Sequence, residues 1–258
     1  MSRRATLILF SLFLILALVS FANAEVKQQG NLRVAFDGNL TPRALPRSGK
    51  APVTVAVGAK ITATAGTTPP QLRKISIAIN RNGELSAKGL PRCPLTQIQP
   101  STTADALSAC KASLVGEGSF SAKVLLPQQA PFPSQGKVFA FNGSLGGKPA
   151  IFAHVYGTRP VPTSYTIPFL ISDAKGTFGT VLTASLPQVT SEWGYVTGLS
   201  MTLGRTFSSH GERRSYLSAG CPAPKGFPGA TFPFARASFG FGKKTLTSTL
   251  TRSCRAGE

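Results

Sequence analysis

Acidic side chains are scarce in this chain: nine Asp and Glu stand against 28 Lys and Arg, for a formal net charge of +19. Glycoside hydrolysis generally needs a pair of carboxylates, and few are here to be paired. Histidine numbers two. Neither lies near a cysteine in sequence, and no Cys-x-x-Cys or His-x-x-x-His spacing occurs, which argues against a zinc site. The Gly-x-Ser-x-Gly elbow of an α/β-hydrolase is missing as well. Gly242-Lys243-Lys244-Thr245 resembles the end of a phosphate-binding loop, but Ala237 stands where its first glycine belongs, so no cofactor is implied. No long segment carries the helical period of 3.6 residues, which leaves a chain built from strands.

What is present begins with a leader. Arg3 and Arg4 precede an apolar run from Ala5 to Phe21, and Ala22-Asn23-Ala24 offers the small residues that a signal peptidase reads. Residues 1–24 are therefore expected to be a signal peptide, cleaved after Ala24. The alternative is a retained membrane anchor, because the run approaches the lower limit for spanning. Losing the leader removes only two of the basic residues, so the remaining chain stays strongly cationic. That balance predicts attraction to an anionic envelope polymer or lipid surface, weakened by salt. The basic residues are dispersed, with Arg73-Lys74, Arg213-Arg214 and Lys243-Lys244 the longest runs, so no specific nucleic-acid reading surface is expected.

The stretch from Tyr216 to Cys254 shows the fold class most plainly. Ala235, Ala237, Phe239 and Phe241 alternate with Arg236, Ser238 and Gly240, the period of a half-buried strand. Phe232 and Phe234 sit on the opposite parity around Pro233, which predicts a bend, bulge or edge there. A glycine turn follows, and the returning strand sets Leu246, Ser248 and Leu250 against Thr245, Thr247, Thr249 and Thr251. Similar stripes run along Val53 to Ile61, Ile75 to Ile79, Phe178 to Leu186, and Tyr195 to Leu203. Gly146-Gly147 marks a hairpin between Val138–Leu145 and Ala150–Tyr156. Asn82-Gly83 marks another, which would set Arg81 opposite Glu84. Pro168 points to an edge strand, and Gly116-Glu117-Gly118 to a bulge. One short helix is expected, where Thr102 and Asp105 form a capping box.

The expected fold is thus an all-β antiparallel sandwich or barrel-like domain with one short helix. Residues 25–50 read as a flexible tether with one strand conceivable at Leu32–Phe36, and 51–258 as the β-rich domain, with room for two packed subdomains divided near 127–137. Export favours oxidation of Cys93, Cys110, Cys221 and Cys254. Four cysteines allow three pairings, and proximity favours Cys93 with Cys110 and Cys221 with Cys254.

Candidate functional residues are few. His210 lies in the polar run Ser208 to Arg214, with Arg213 and Arg214 beside it, where a loop could carry function. His154 shares a strand face with Phe152 and Tyr156 and reads as a core or sheet-surface residue. Glu117 and Glu192 are the carboxylates left to test as a pair, and Trp193 beside Glu192 could stack on a sugar ring. Two functional classes follow. The first is a secreted basic protein with a binding or structural role at the cell envelope or outside the cell; the alternative is a secreted carbohydrate-active enzyme or lectin-like module.

GLPRCP at Gly89–Pro94, ALSACKASLVGEGSF at Ala106–Phe120, and YLSAGCPAPKGFPGATFPFARASFGFG from Tyr216 resemble an uncharacterised family of exported actinobacterial proteins. The resemblance spans most of the chain beyond the leader. It implies export and a shared fold, and it carries no activity, cofactor or catalytic residue.

Overall fold

The computed structural model describes residues 24–64, 66–159, 161–186 and 194–257. The leader, apart from Ala24, together with Glu192 and Trp193, lies outside the described residues.

Strands dominate, in keeping with the alternating stripes. The first half contains β1 (Glu25–Gln29), β2 (Leu32–Thr41), β3 (Ala44–Pro46), β4 (Ala51–Pro52), β5 (Thr54–Ala63), β6 (Lys74–Asn80) and β7 (Gly83–Leu85). Helix α1 (Thr103–Cys110) leads into β8 (Leu114–Val124), β9 (Phe132–Leu145), β10 (Lys148–Gly157), β11 (Thr163–Asp173) and β12 (Phe178–Ser185). The rest comprises β13 (Gly194–Leu203), β14 (Thr206–Ser209), β15 (Glu212–Ser215), β16 (Leu217–Ala219), β17 (Gly229–Phe241) and β18 (Lys244–Gly257).

Thirteen strands form one curled sheet in the order β1-β2-β5-β13-β8-β9-β10-β11-β12-β6-β17-β18-β3. Every pairing is antiparallel except β18 with β3. The sheet's two ends meet without a shared ladder: on β18, Arg252 donates from Nε to the Gly38 carbonyl at 2.6 Å and pairs through Nη2 with Asp37 at 2.8 Å, both on β2. Across the enclosed interior, Phe36 and Phe239 meet edge to face with centroids 5.9 Å apart.

The β17–β18 hairpin matches its stripe. Ala237, Phe239, Leu246 and Leu250 are buried, while Thr245, Thr247, Thr249 and Thr251 are exposed. Register slips between Pro233 and Ala235, so Phe232 and Phe234 reach the same interior as Ala235 despite their parity. β6 no longer pairs with β17 at Pro233, whose carbonyl accepts instead from the Asn80 amide at 2.7 Å.

Four sequence expectations are corrected. Residues 25–41 are two sheet strands and not a tether: Leu32, Val34, Phe36 and Leu40 are fully buried. Asn82-Gly83 turns the chain but makes no hairpin, because β7 pairs with β16, and β6 with β12 and β17. Glu84 forms an ion pair with Lys50 at 2.8 Å instead of facing Arg81. Pro168 lies inside the sheet, opposite Phe152, at a point on β11 that the β12 pairing does not reach. Across 127–137 the sheet is continuous, since β8 pairs with β9 from Leu114 to Val124, so no subdomain boundary falls there.

The bulge on β8 falls at Val115, between Leu114 and Gly116. Gly118 has a separate cause: a Cβ there would lie 1.9 Å from the Ser200 carbonyl of β13, so the two backbones approach more closely than any side chain allows.

The outer face of β9 and β10 carries a cap formed by residues 90–113. Asn142 anchors it, accepting from the Cys93 amide at 2.8 Å and donating to the Pro91 carbonyl at 2.9 Å. At that position Asn142 is buried. In α1, Thr102 accepts from the Asp105 amide and donates from its hydroxyl to the Asp105 carboxylate, as the capping residues predict. Ile98, Ala106, Phe139, Phe141 and Phe152 pack into a second core around the Cys93–Cys110 disulfide. The other disulfide joins Cys221 to Cys254, so the proximity pairing holds for both, and among the described residues no cysteine is free. Such bridges mark a chain that folds in an oxidising environment.

Candidate functional site

Among the described residues, the curled sheet is plugged at one end and open at the other. At the plugged end a small sheet, β4-β16-β7, crosses the interior, and Gly220 and Cys221 hydrogen-bond to the carbonyls of Asn82 and Pro46. Leu217, Phe232 and Phe234 fill the space beneath it, leaving about 70 Å³.

At the other end the strands bound a mouth. The half beneath β2, β17 and β18 is packed, with Phe36 against Phe239 and Phe241 beside Leu246. The half bounded by β8, β10, β11 and β13 holds a cavity of about 420 Å³. Phe120, Ala122 and Val124 face it from β8, Val155 and Gly157 from β10, and Thr163, Tyr165 and Ile167 from β11. On β13 the register slips between Val196 and Gly198, so Val196 joins Leu199, Met201 and Leu203 on the inner side. The stripe expected to begin at Tyr195 therefore begins one residue later, although Tyr195 still borders the mouth. Small residues keep the space open: Ala122 and Gly157 lie on the lining, and at Gly136 a Cβ would touch the Phe120 ring at 2.8 Å.

The rim is cationic. Arg73 continues the inward stripe of Ile75, Ile77 and Ile79 past the end of β6, and Arg159 continues that of Ile151, Ala153 and Val155 past the end of β10. Lys123 also lies on the lining, and no Asp or Glu does among the described residues. The ion pairs of the described residues are Lys50–Glu84, Arg214–Glu212 and Arg252–Asp37, so among the described residues no carboxylate neutralises either rim arginine. Val161, between β10 and β11, is 61% exposed and gives the rim an apolar lip. Gln71 braces the lining by donating to the Gly194 carbonyl at 2.8 Å.

The residues singled out from sequence stand elsewhere. Glu117 is exposed on β8, on the parity opposite Phe120 and Ala122, and faces away from the cavity. Glu192 and Trp193 lie outside the described residues. His210 is exposed in the two-residue turn between β14 and β15, where its φ of 53° and that of Gly211 at 79° fit a tight primed hairpin. Arg213 is exposed on β15, and Arg214 pairs with Glu212 at 2.5 Å. This hairpin leaves from Leu203, the end of β13 opposite the mouth, so none of the three reaches the cavity.

His154 is fully buried, as its strand face predicts. Its Nδ1 lies 3.1 Å from the Ile98 carbonyl, which also accepts from the Thr166 hydroxyl at 3.2 Å, so the ring is assigned the tautomer that donates there. Burial pushes its imidazole below the ordinary range, with the Ile98 bond a smaller opposing influence. Burial likewise raises the Tyr216 phenol. Among the described residues no three His, Cys, Asp or Glu side chains converge on a metal position.

Sequence reasoning missed Arg73 and Arg159, although a signal was present. Each is a cation placed in phase at the end of an apolar stripe, where the chain leaves the core. Comparison with family models, with curated proteins and with solved structures returns no match.

Proposed function

We propose that this chain is an exported binding protein that holds an apolar small molecule in the mouth of its sheet, while its cationic surface rests on anionic envelope polymer or lipid. The cavity carries this reading. Its volume falls within the range of about 300 to 1,000 Å³ usual for ligand pockets, and its wall is apolar with a few polar groups at the rim, the usual composition of such sites. The disulfides support a place outside the cytoplasm, as does the resemblance to exported actinobacterial proteins.

The test has two arms. Protein purified without detergent is extracted with organic solvent and the extract analysed by mass spectrometry, beside Ala122→Trp and Val155→Trp variants that fill the cavity. The wild type should yield apolar compounds that both variants lack; equal yields from all three would refute the cavity as a binding site. Separately, retention on anionic vesicles and on isolated wall polymers should fall steeply as salt rises. Retention indifferent to salt would remove the electrostatic half of the proposal.

A further inference from the structure

We infer that the occupant of the mouth is a single-chain amphiphile with an anionic head: its tail lies among Phe120, Val155 and Ile167, and its head meets Arg73 and Arg159. This rests on the reading of the mouth as a binding cavity and adds the chemistry of the ligand. Five observations select it. The wall is apolar in depth while the charges are confined to the rim, so the ligand must itself be divided into an apolar body and a polar end. Both arginines extend inward-facing stripes and have no carboxylate partner among the described residues, and guanidinium groups match carboxylate or phosphate oxygens with paired hydrogen bonds. The lining contributes no acidic side chain among the described residues to repel an anion. A volume of about 420 Å³ lies toward the small end of the range for ligand pockets, which suits one chain better than two. The exposed Val161 beside Arg159 gives the entrance an apolar lip over which such a tail can pass.

Calorimetric titration of the wild type with tetradecanoate, tetradecyl phosphate and tetradecanol, each below its micellar concentration, tests this. At least one of the anions should bind about ten-fold tighter than the alcohol, because hydrogen bonds to a charged group exceed neutral ones by about that factor. A preference between carboxylate and phosphate identifies the head. Lengthening the tail by one methylene should tighten binding about four-fold until the cavity is full. The Arg73→Gln/Arg159→Gln variant should lose the preference for the anions and keep its affinity for the alcohol within about two-fold. Its main chain is unaltered at the positions where Arg73 pairs with Gly240 and Leu186. If the alcohol binds as tightly as the anions, or the double variant retains the preference, the anionic head is wrong and the cavity reading survives. Wild type that takes up none of the three overturns both.

Discussion

The two ends of the curled sheet are built from the same strands and solve opposite problems. At the plugged end, β16 crosses the interior, Phe232 and Phe234 press beneath it, and the Cys221–Cys254 bond ties the crossing segment to β18. About 70 Å³ is left. At the mouth nothing crosses among the described residues, and the side chains on β8 and β10 shrink to Ala122 and Gly157, leaving about six times that volume. Close packing is the default of protein interiors, where each void forfeits contacts. A large apolar cavity at one end, beside a well-filled other end, is the arrangement that the proposed binding role requires.

The contrast can be broken by mutation. The largest effect is expected from Phe234→Ala at the plugged end, which should cost about 3 to 5 kcal/mol in urea unfolding. Phe120→Ala at the mouth should cost less than half as much, because its ring already borders open volume. Equal losses would mean that the two ends are packed alike. Next come the disulfides. In the chain-entropy model, Cys221→Ser/Cys254→Ser should cost about 3.7 kcal/mol and Cys93→Ser/Cys110→Ser about 3.1 kcal/mol, following separations of 33 and 17 residues. Only the first should loosen the plug, read as faster amide exchange at Leu217 and Ala219.

A smaller and signed effect comes from adding volume. Ala237→Leu in the filled interior should destabilise by about 1 to 3 kcal/mol, since that side chain has no exposure and no room. Ala122→Leu at the mouth should be neutral or stabilise by up to about 1 kcal/mol, as cavity-filling changes commonly do. Loss of stability in both would remove the idea of usable space at the mouth.

The smallest effect is a pH slope from the cap. His154 is held neutral by burial, so its value in the folded state lies below the ordinary 6.5, and the folded protein binds fewer protons than the unfolded chain once pH drops beneath that value. Stability should be intact above about pH 6.5 and decline as acid is added through that point. His154→Gln should flatten the decline without changing uptake at the mouth. An unchanged slope would show that other groups cause it.

What could be read from sequence was local. The β17–β18 stripe, the irregularity at Pro233, the Thr102 cap and the pairing of neighbouring cysteines all depend on residues close together in the chain. Readings that failed needed a distant partner. β1 is exposed along its whole length and carries no buried stripe, so only its pairing with β2 makes it part of the sheet. Gly83–Leu85 finds its partner at Leu217–Ala219 and not across a turn, which no local preference encodes. The mouth draws on β8, β10, β11 and β13 together with the entry to β6, and its arginines gain meaning only once those registers bring them to one rim.

Asp37 and Arg252 touch although they stand 215 positions apart in the chain. A bond so remote in sequence cannot form while the molecule is emerging from a ribosome, because one partner has yet to arrive. Contacts of such long range carry a loop-closure cost that the local hairpins do not, and a chain rich in them folds slowly. Until this bond forms, the apolar inner wall lies open along one side.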